Sequence, residues 1–163
     1  MRARDVMSRT VYTVTPRTSV GEAAALMRDR NIGFLPVVDE SVPAKLVGVV
    51  TDRDLMLRAL AEGRGPELAI RFVMSSFPLV SAPESAEVHD LVSLMGAHQV
   101  RRLPIMRPDG AVSGVVSQGD LALTLGPMEP RTIETLVERI SAPSLLLANV
   151  NGAVQRGLVS EQT

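Results

Sequence analysis

Hydrophobic and polar positions in the first half of the chain predict five elements in the order β-α-β-β-α. A short strand with alternating positions ends at Pro16. The helix after it has Thr18 or Ser19 as its cap, apolar residues at helical spacing, and Asn31 at its end. Two apolar runs around a polar turn then predict a β-hairpin, and a second helix follows. These strands and the second helix are predicted at residues 11–15, 34–38, 46–50 and 52–61.

The second half of the chain repeats this order of elements. Its strands are predicted at 78–82, 102–106 and 112–116, and its helices at 86–99 and 118–125. In the second helix of the first copy, the spacing predicts that Leu55, Met56 and Leu60 face the core. After the second copy, residues 131–140 predict one more helix with an apolar face.

Matched residues indicate that the two halves are a tandem duplication. Val6-Met7, Pro16, Pro36, Gly48 and Asp54 recur in the same order as Val73-Met74, Pro83, Pro104, Gly114 and Asp120. We divide the chain into a first repeat at 1–62, a linker helix at 63–71, a second repeat at 72–125 and a partly helical tail at 126–163. Each repeat is small enough to be marginally stable alone, so we expect the repeats to pack together. We expect the tail, with its apolar run at 144–148, to pack on a partner subunit or to fray.

The segment from Gly48 to Asp54 carries the most chemistry in the first repeat. Its valines predict a strand that runs directly into a helix, with the Thr51 hydroxyl at the helix N-terminus and Asp54 one turn later. The hydroxyl and backbone N–H groups suit a phosphate, and the carboxylate suits a pair of ribose hydroxyls. Ser117 and Asp120 supply the same groups in the second repeat. Helix capping and stabilisation of the helix dipole are the alternative roles of these residues.

Composition narrows the possible functions. Hydrophobic residues make up 45% of the 163 positions, enough for a packed core, and a net charge of −1 provides no basic field for nucleic acid. An aromatic content of 2% leaves little for base stacking, and the lack of cysteine excludes disulfides and thiolate metal sites. The chain shows neither a signal peptide pattern nor an apolar run of membrane-spanning length. We therefore expect a cytoplasmic protein that binds neither nucleic acid nor a membrane.

The sequence contains no recognisable motif for catalysis. It has no glycine-rich phosphate loop, no histidine pair at metal-ligand spacing and no nucleophile–base pair. Two histidines leave few groups for acid–base or metal chemistry. We predict that the chain is not an enzyme and holds no metal.

Four motifs occur in the same order in both halves. In the first half they are Asp5-Val6-Met7, Thr13-Val14-Thr15-Pro16, Phe34-Leu35-Pro36-Val37 and the segment from Gly48 to Asp54. In the second half they are Phe72-Val73-Met74, Val80-Ser81-Ala82-Pro83, Arg102-Leu103-Pro104-Ile105 and the segment from Gly114 to Asp120. Over residues 3–125 this series resembles a tandem CBS (cystathionine β-synthase) domain pair, most like the short standalone bacterial members of that family. The resemblance implies an α/β fold in which two β-α-β-β-α repeats form a pseudo-two-fold module with two ligand clefts.

The resemblance also implies roles for particular residues. The ribose would be bound by Asp54 and Asp120, and phosphate by Thr51, Ser117, Arg53, Arg101 and Arg102. The base would be bordered by Thr13, Val14, Thr15 and Pro16 in one copy and by Val80, Ser81 and Pro83 in the other. Because Gly33 and Phe34 occupy the positions of Arg101 and Arg102 in the first copy, we expect the two clefts to differ in ligand. Surface ion pairs are the alternative role of these two arginines.

From the resemblance we predict a regulatory, ligand-sensing module. The expected ligand is AMP, ADP or ATP, with S-adenosylmethionine or NAD(H) as further candidates, and no cofactor is required. We expect the module to form a homodimer and to act in trans on an unidentified protein target. The alternative is a CBS pair that dimerises or docks to a partner and has no nucleotide ligand.

Overall fold

Two β-hairpins form the centres of the two repeats. In the computed structural model, which describes residues 1–41 and 44–142, β1 (Phe34–Val38) pairs antiparallel with β2 (Leu46–Thr51). In the second repeat, the short β3 (Ala82–Pro83) runs parallel to β4 (Arg102–Met106), which pairs antiparallel with β5 (Val112–Ser117). Both hairpins were predicted at these positions and are confirmed. The structure adds a register shift in each, between Val37 and Val38 and between Ile105 and Met106.

The helices of the described residues surround these hairpins. They are α1 (Ala3–Val6), α2 (Val20–Arg30), α3 (Asp52–Leu55), α4 (Val88–His98), α5 (Gln118–Leu125) and α6 (Pro130–Ser141), with a π-helical segment at Met56–Leu60 and a 3-10 turn at Ile70–Phe72. Helix α2 begins where predicted, because the Ser19 hydroxyl accepts from Glu22 N at 3.2 Å. It ends at Asn31, whose φ of 52° is left-handed.

The first strand of each repeat is shorter than predicted. In the range 11–15 only Val14 pairs, in parallel with Val37, because Thr15 N already donates to Thr18 Oγ1 in a turn. In the second repeat the strand begins at Ala82, where we predicted its end. Only the residues that come within hydrogen-bonding distance of the hairpin pair with it. The alternation of apolar residues does not show which residues these are.

The linker contains one 3-10 turn rather than a longer helix. Its backbone donors are used elsewhere, since Ile70 N donates to Thr18 O at 2.8 Å and Arg71 N donates to Pro16 O at 3.1 Å. These bonds hold the linker against the first repeat and leave the donors unavailable for a continuous helix.

The prediction for the inner face of the helix at 52–61 was partly wrong. Leu55 is buried as predicted, but Met56 is 55% exposed and Leu60 is 66% exposed. Ala59, one turn after Leu55, faces the core in their place. The apolar side chains of Met56 and Leu60 therefore point away from the core.

Each repeat packs on a segment from outside its own β-α-β-β-α unit. Ala3 and Met7, in and just after α1, are buried in the core of the second repeat, and Ser8 pairs with Val115 of β5. Ile70 of the linker and Val73, two residues after it, are buried in the core of the first repeat. The chain thus crosses between the two units before each repeat begins, which ties the repeats together.

The tail helix packs within its own chain. Leu136 and Ile140 of α6 are buried in the second core beside α4 and α5, and Gln99 Nε2 donates to Ala142 O at 2.9 Å. The expectation that the tail frays was therefore wrong up to residue 142, because the helix has an apolar face that its own repeat buries, and packing on a partner subunit stays a prediction. The apolar run at 144–148 lies outside the described residues.

Candidate functional site

The two hydroxyl–carboxylate pairs have the same geometry in both repeats. Thr51 N and Oγ1 donate to Asp54 Oδ2 at 2.9 and 2.7 Å, and Asp54 N donates back to Thr51 Oγ1 at 3.1 Å. Ser117 and Asp120 form the same bonds at 2.7, 2.7 and 3.2 Å. These residues therefore cap the helices, which is the alternative role considered for them. Capping uses Oδ2 of each aspartate and leaves Oδ1 as the oxygen that can accept from a ligand.

A cleft of about 190 Å³ lies between the repeats, with the second pair in its wall. From the second half of the chain it is lined by Arg102, Val115, Ser117 and Asp120. From the first half it is lined by Ser8, Thr10, Val11, Tyr12, Ile32, Phe34 and Pro36. One wall is thus mainly apolar, and the other presents a carboxylate and a guanidinium. Such a slot suits a flat apolar ring joined to a diol and an anion.

Tyr12 is held at the cleft by a second arginine. The Arg30 guanidinium lies 4.7 Å from the centroid of the Tyr12 ring. This distance is within the range of a cation–π contact, which orders the ring against the end of α2. The aromatic wall of the cleft is therefore supported from outside.

The predicted phosphate residues take different positions. Both arginines are exposed, but only Arg102 lines the cleft together with Asp120. Arg101 contributes its carbonyl oxygen to a bond from Gln118 N at 2.9 Å. Within residues 1–41 and 44–142 neither arginine forms an ion pair, so the alternative role that we considered for them is not observed. Arg53 is exposed on the first turn of α3.

The residues predicted to border the base are not among those that line the cleft at Asp120, and their contact with a base stays a prediction. Val14 is buried in the first core, Thr13 is exposed, and Pro16 accepts a bond from the linker. In the second copy Val80 packs on the core, Ser81 is half-buried, and Pro83 pairs with Met106.

Thr10, Val11 and Tyr12 line this cleft and were not predicted as site residues from the sequence. Which side chains a short strand presents to a cleft depends on its long-range pairing, which the sequence pattern does not show. The one signal in the sequence was Tyr12 itself, an amphipathic ring among very few aromatic residues.

The aspartate of the first repeat has an additional partner. Arg58 Nε lies 3.5 Å from Asp54 Oδ1, and only 15% of the Asp54 side chain is exposed. Asp120 has no ion pair among the described residues. The two aspartates therefore form the same capping bonds, but among the described residues only Asp54 has an arginine beside it.

This duplicated arrangement matches a known family. The family model described as CBS domain matches residues 3–60 and 70–126. The chain belongs to the CBS domain family. Its two β-α-β-β-α units are thus CBS repeats, and the predicted α/β fold with two packed repeats is confirmed. None of the described helices has the length and apolar character to cross a membrane.

Two bacterial relatives cover most of this CBS pair. The chain is 42% identical over 120 residues to the CBS domain-containing protein YhcV of Bacillus subtilis, which is 74% of this chain and 82% of that protein. It is 31% identical over 144 residues to hypoxic response protein 1 of Mycobacterium tuberculosis, covering 88% of this chain and 96% of that protein. The predicted resemblance to short standalone CBS proteins is therefore confirmed.

Solved CBS structures have the same fold. A conserved CBS domain protein of Thermoplasma acidophilum superposes with a TM-score of 0.74 at 24% identity, covering 85% of this chain and 75% of that one. The CBS domain pair of protein MJ0100, in complex with 5-methylthioadenosine and S-adenosyl-L-methionine, gives 0.70 at 27% identity, covering 79% and 98%. CBSX2 in complex with AMP gives 0.67 at 27% identity, covering 78% and 98%.

Proposed function

We propose that this CBS pair is a regulatory module that binds an adenosyl compound, with AMP as the favoured ligand, in the cleft at Asp120. The observation that carries the proposal is the opposition of Asp120 and Arg102 to the apolar wall that contains Tyr12 and Ile32. Two similar CBS structures hold adenosyl compounds, which supports this ligand class.

Each part of the ligand has a matching surface. The ribose diol would donate to Asp120 Oδ1, which the capping bonds leave available, and a hydrogen bond to a charged acceptor is stronger than a neutral one. The Arg102 guanidinium offers a planar fork to a phosphate. The adenine ring would lie against the apolar wall, where its burial removes apolar surface from water.

Regulation would follow because the ligand contacts both repeats. A ligand shifts a conformational equilibrium only by its different affinities for the two states. Bound between Tyr12 of the first repeat and Asp120 of the second, it would favour the arrangement that holds these walls together. A homodimer, a cytoplasmic location and action in trans on a protein target complete this proposal.

Calorimetric titration of the full chain with AMP, adenosine, S-adenosylmethionine and NADH tests the ligand. We expect AMP to bind, and Asp120→Asn to weaken it by about tenfold or more through loss of a charge-assisted bond. Asn keeps a side-chain oxygen for the cap. Asp90→Asn is a matched control, since Asp90 also accepts a capping bond, from Glu87 N at 3.3 Å, but does not line the cleft.

Two outcomes would contradict the proposal. One is that none of the four compounds binds, which would favour the alternative of a docking module without a nucleotide ligand. The other is that AMP binds to the Asp120→Asn variant as well as to the wild type and the Asp90→Asn variant.

A further inference from the structure

Arg58 joins Asp54 to two residues that follow the linker, at the place where the ligand cleft of the first repeat would lie. Its Nε is 3.5 Å from Asp54 Oδ1, and its Nη1 donates to Val73 O at 2.9 Å and to Ser75 Oγ at 3.3 Å. The Arg58 side chain therefore links the first turn of α3 to the segment that follows the linker.

These partners correspond to residues of the other cleft. By the duplication, Asp54 corresponds to Asp120 and Ser75 corresponds to Ser8, and both Asp120 and Ser8 line the cleft described above. Val49 pairs with Ser75 just as Val115 pairs with Ser8. Arg58 thus bridges the two sides of the position that is open to a ligand in the other half of the module.

The second repeat lacks this bridge. The residue that corresponds to Arg58 is Thr124, one turn after Asp120 in α5. A threonine side chain is too short to span from the helix to the opposite segment and carries no charge. Because the capping bonds are the same in both repeats, the contact with Arg58 is what distinguishes the carboxylate of Asp54 from that of Asp120.

We propose that Arg58 closes the cleft at Asp54, so that one adenosyl ligand binds per chain, at Asp120. This inference rests on the proposed function and adds a residue that determines which cleft is used. Asp54 Oδ1 is the oxygen that a ribose hydroxyl would need, and the guanidinium already faces it. A ligand at Asp54 would have to displace Arg58 from a carboxylate and from the backbone oxygen of Val73, and that oxygen would lose its side-chain donor.

Exchanging the two residues tests this inference with AMP as the probe. We expect calorimetry of the full chain to give one AMP per wild-type chain and two per Arg58→Thr chain, the new site being about 10- to 100-fold weaker because Phe34 stands where the second repeat has Arg102. Thr124→Arg should weaken binding at Asp120 by about 10- to 100-fold. The Arg58→Thr/Asp120→Asn double variant should bind one AMP, at Asp54, which keeps the test informative if Thr124→Arg does not fold.

The outcomes separate this inference from the proposed function. One AMP per chain in both the wild type and Arg58→Thr would overturn the role of Arg58 and leave binding at Asp120 intact. Two AMP in the wild type, with one lost in Arg58→Thr, would make Arg58 a phosphate ligand and overturn the closure. If the wild type binds no AMP but Arg58→Thr binds one, the proposed site at Asp120 fails and the closure is supported. If neither protein binds AMP, both proposals fail.

Discussion

Met7 packs directly onto Gly114 of β5, so closely that a Cβ on this glycine would lie 2.7 Å from Met7 Cγ. Met74 lies in the same way on Gly48 of β2, where a Cβ would be 2.8 Å from Met74 Sδ. Each methionine, which lies before the first strand of its own repeat, therefore occupies the space above the glycine of the other repeat. This exchange explains why both the methionine and the glycine recur in the duplication.

Replacing Gly114 by alanine should destabilise the protein by about 1–3 kcal/mol, because the added methyl group overpacks a filled site. Urea unfolding followed by circular dichroism measures the change. The Gly114→Ala/Met7→Ala double variant should be more stable than the sum of the single changes predicts, since the smaller side chain removes the closest contact and leaves the Ser8 carbonyl oxygen, 2.9 Å from the added methyl group, to adjust.

Gly119→Ala is the control for this contact. A Cβ on Gly119 has its nearest neighbour, Ser117 Oγ, at an ordinary distance of 3.5 Å, and the residue lies in α5. Alanine there should be neutral or stabilising by up to about 1 kcal/mol. Equal effects of alanine at positions 114 and 119 would contradict the proposed packing.

Leu136→Ala in α6 should cost about 2–5 kcal/mol, because Leu136 is completely buried in the second core. Val137→Ala, one residue later in the same helix, should cost about 1 kcal/mol or less, since Val137 is 40% exposed. Thermal and urea unfolding of both variants measure the difference. If Leu136→Ala is no more destabilising than Val137→Ala, the helix does not pack on its own repeat in solution.

The capping box of α2 should make part of the stability dependent on pH. Hydrogen bonds from Ser19 N and Oγ, both at 2.8 Å, lower the pKa of Glu22 below its ordinary value of 4.5. A carboxyl whose pKa is lower in the folded state stabilises the fold above the unfolded pKa, and this contribution is lost as the pH falls through the folded pKa. Wild type should therefore be more stable than Glu22→Gln at neutral pH.

Urea unfolding of wild type and Glu22→Gln between about pH 7 and pH 3 measures this contribution. The difference in unfolding free energy should be constant at neutral pH and should narrow below pH 4.5, the ordinary pKa of Glu22. A difference that does not change with pH would show that the charge of Glu22 is not what stabilises the helix end.

Arg102→Ala should weaken binding of AMP by about 10- to 100-fold and leave binding of adenosine nearly unchanged, because the guanidinium would contact only the phosphate. Arg101→Ala is the matched control, since Arg101 is adjacent to Arg102 in the chain but its side chain does not line the cleft. Titration with both ligands at two salt concentrations measures the effects. A larger loss for Arg101→Ala than for Arg102→Ala would place the phosphate outside the cleft.

Local features were predicted correctly from the sequence. The hairpins at 34–38 with 46–50 and 102–106 with 112–116, the α2 cap at Ser19 and the helix at 118–125 all depend on residues that are close together in the chain. The duplication pointed to the family because several motifs that are weak on their own occur twice in the same order, and the family model matches both copies. The pairing of Thr51 with Asp54 was predictable because the two residues are close in the chain and lie within one helical turn.

The tertiary structure decided what distant segments do to one another. Only the fold places Met7 on Gly114, Tyr12 opposite Asp120, and Leu136 in the second core. It also places Arg58 between Asp54 and Ser75, whereas the sequence showed only an arginine on a helix. These contacts join residues that are far apart in the chain, and their geometry depends on how two nearly identical repeats pack, which no local pattern specifies.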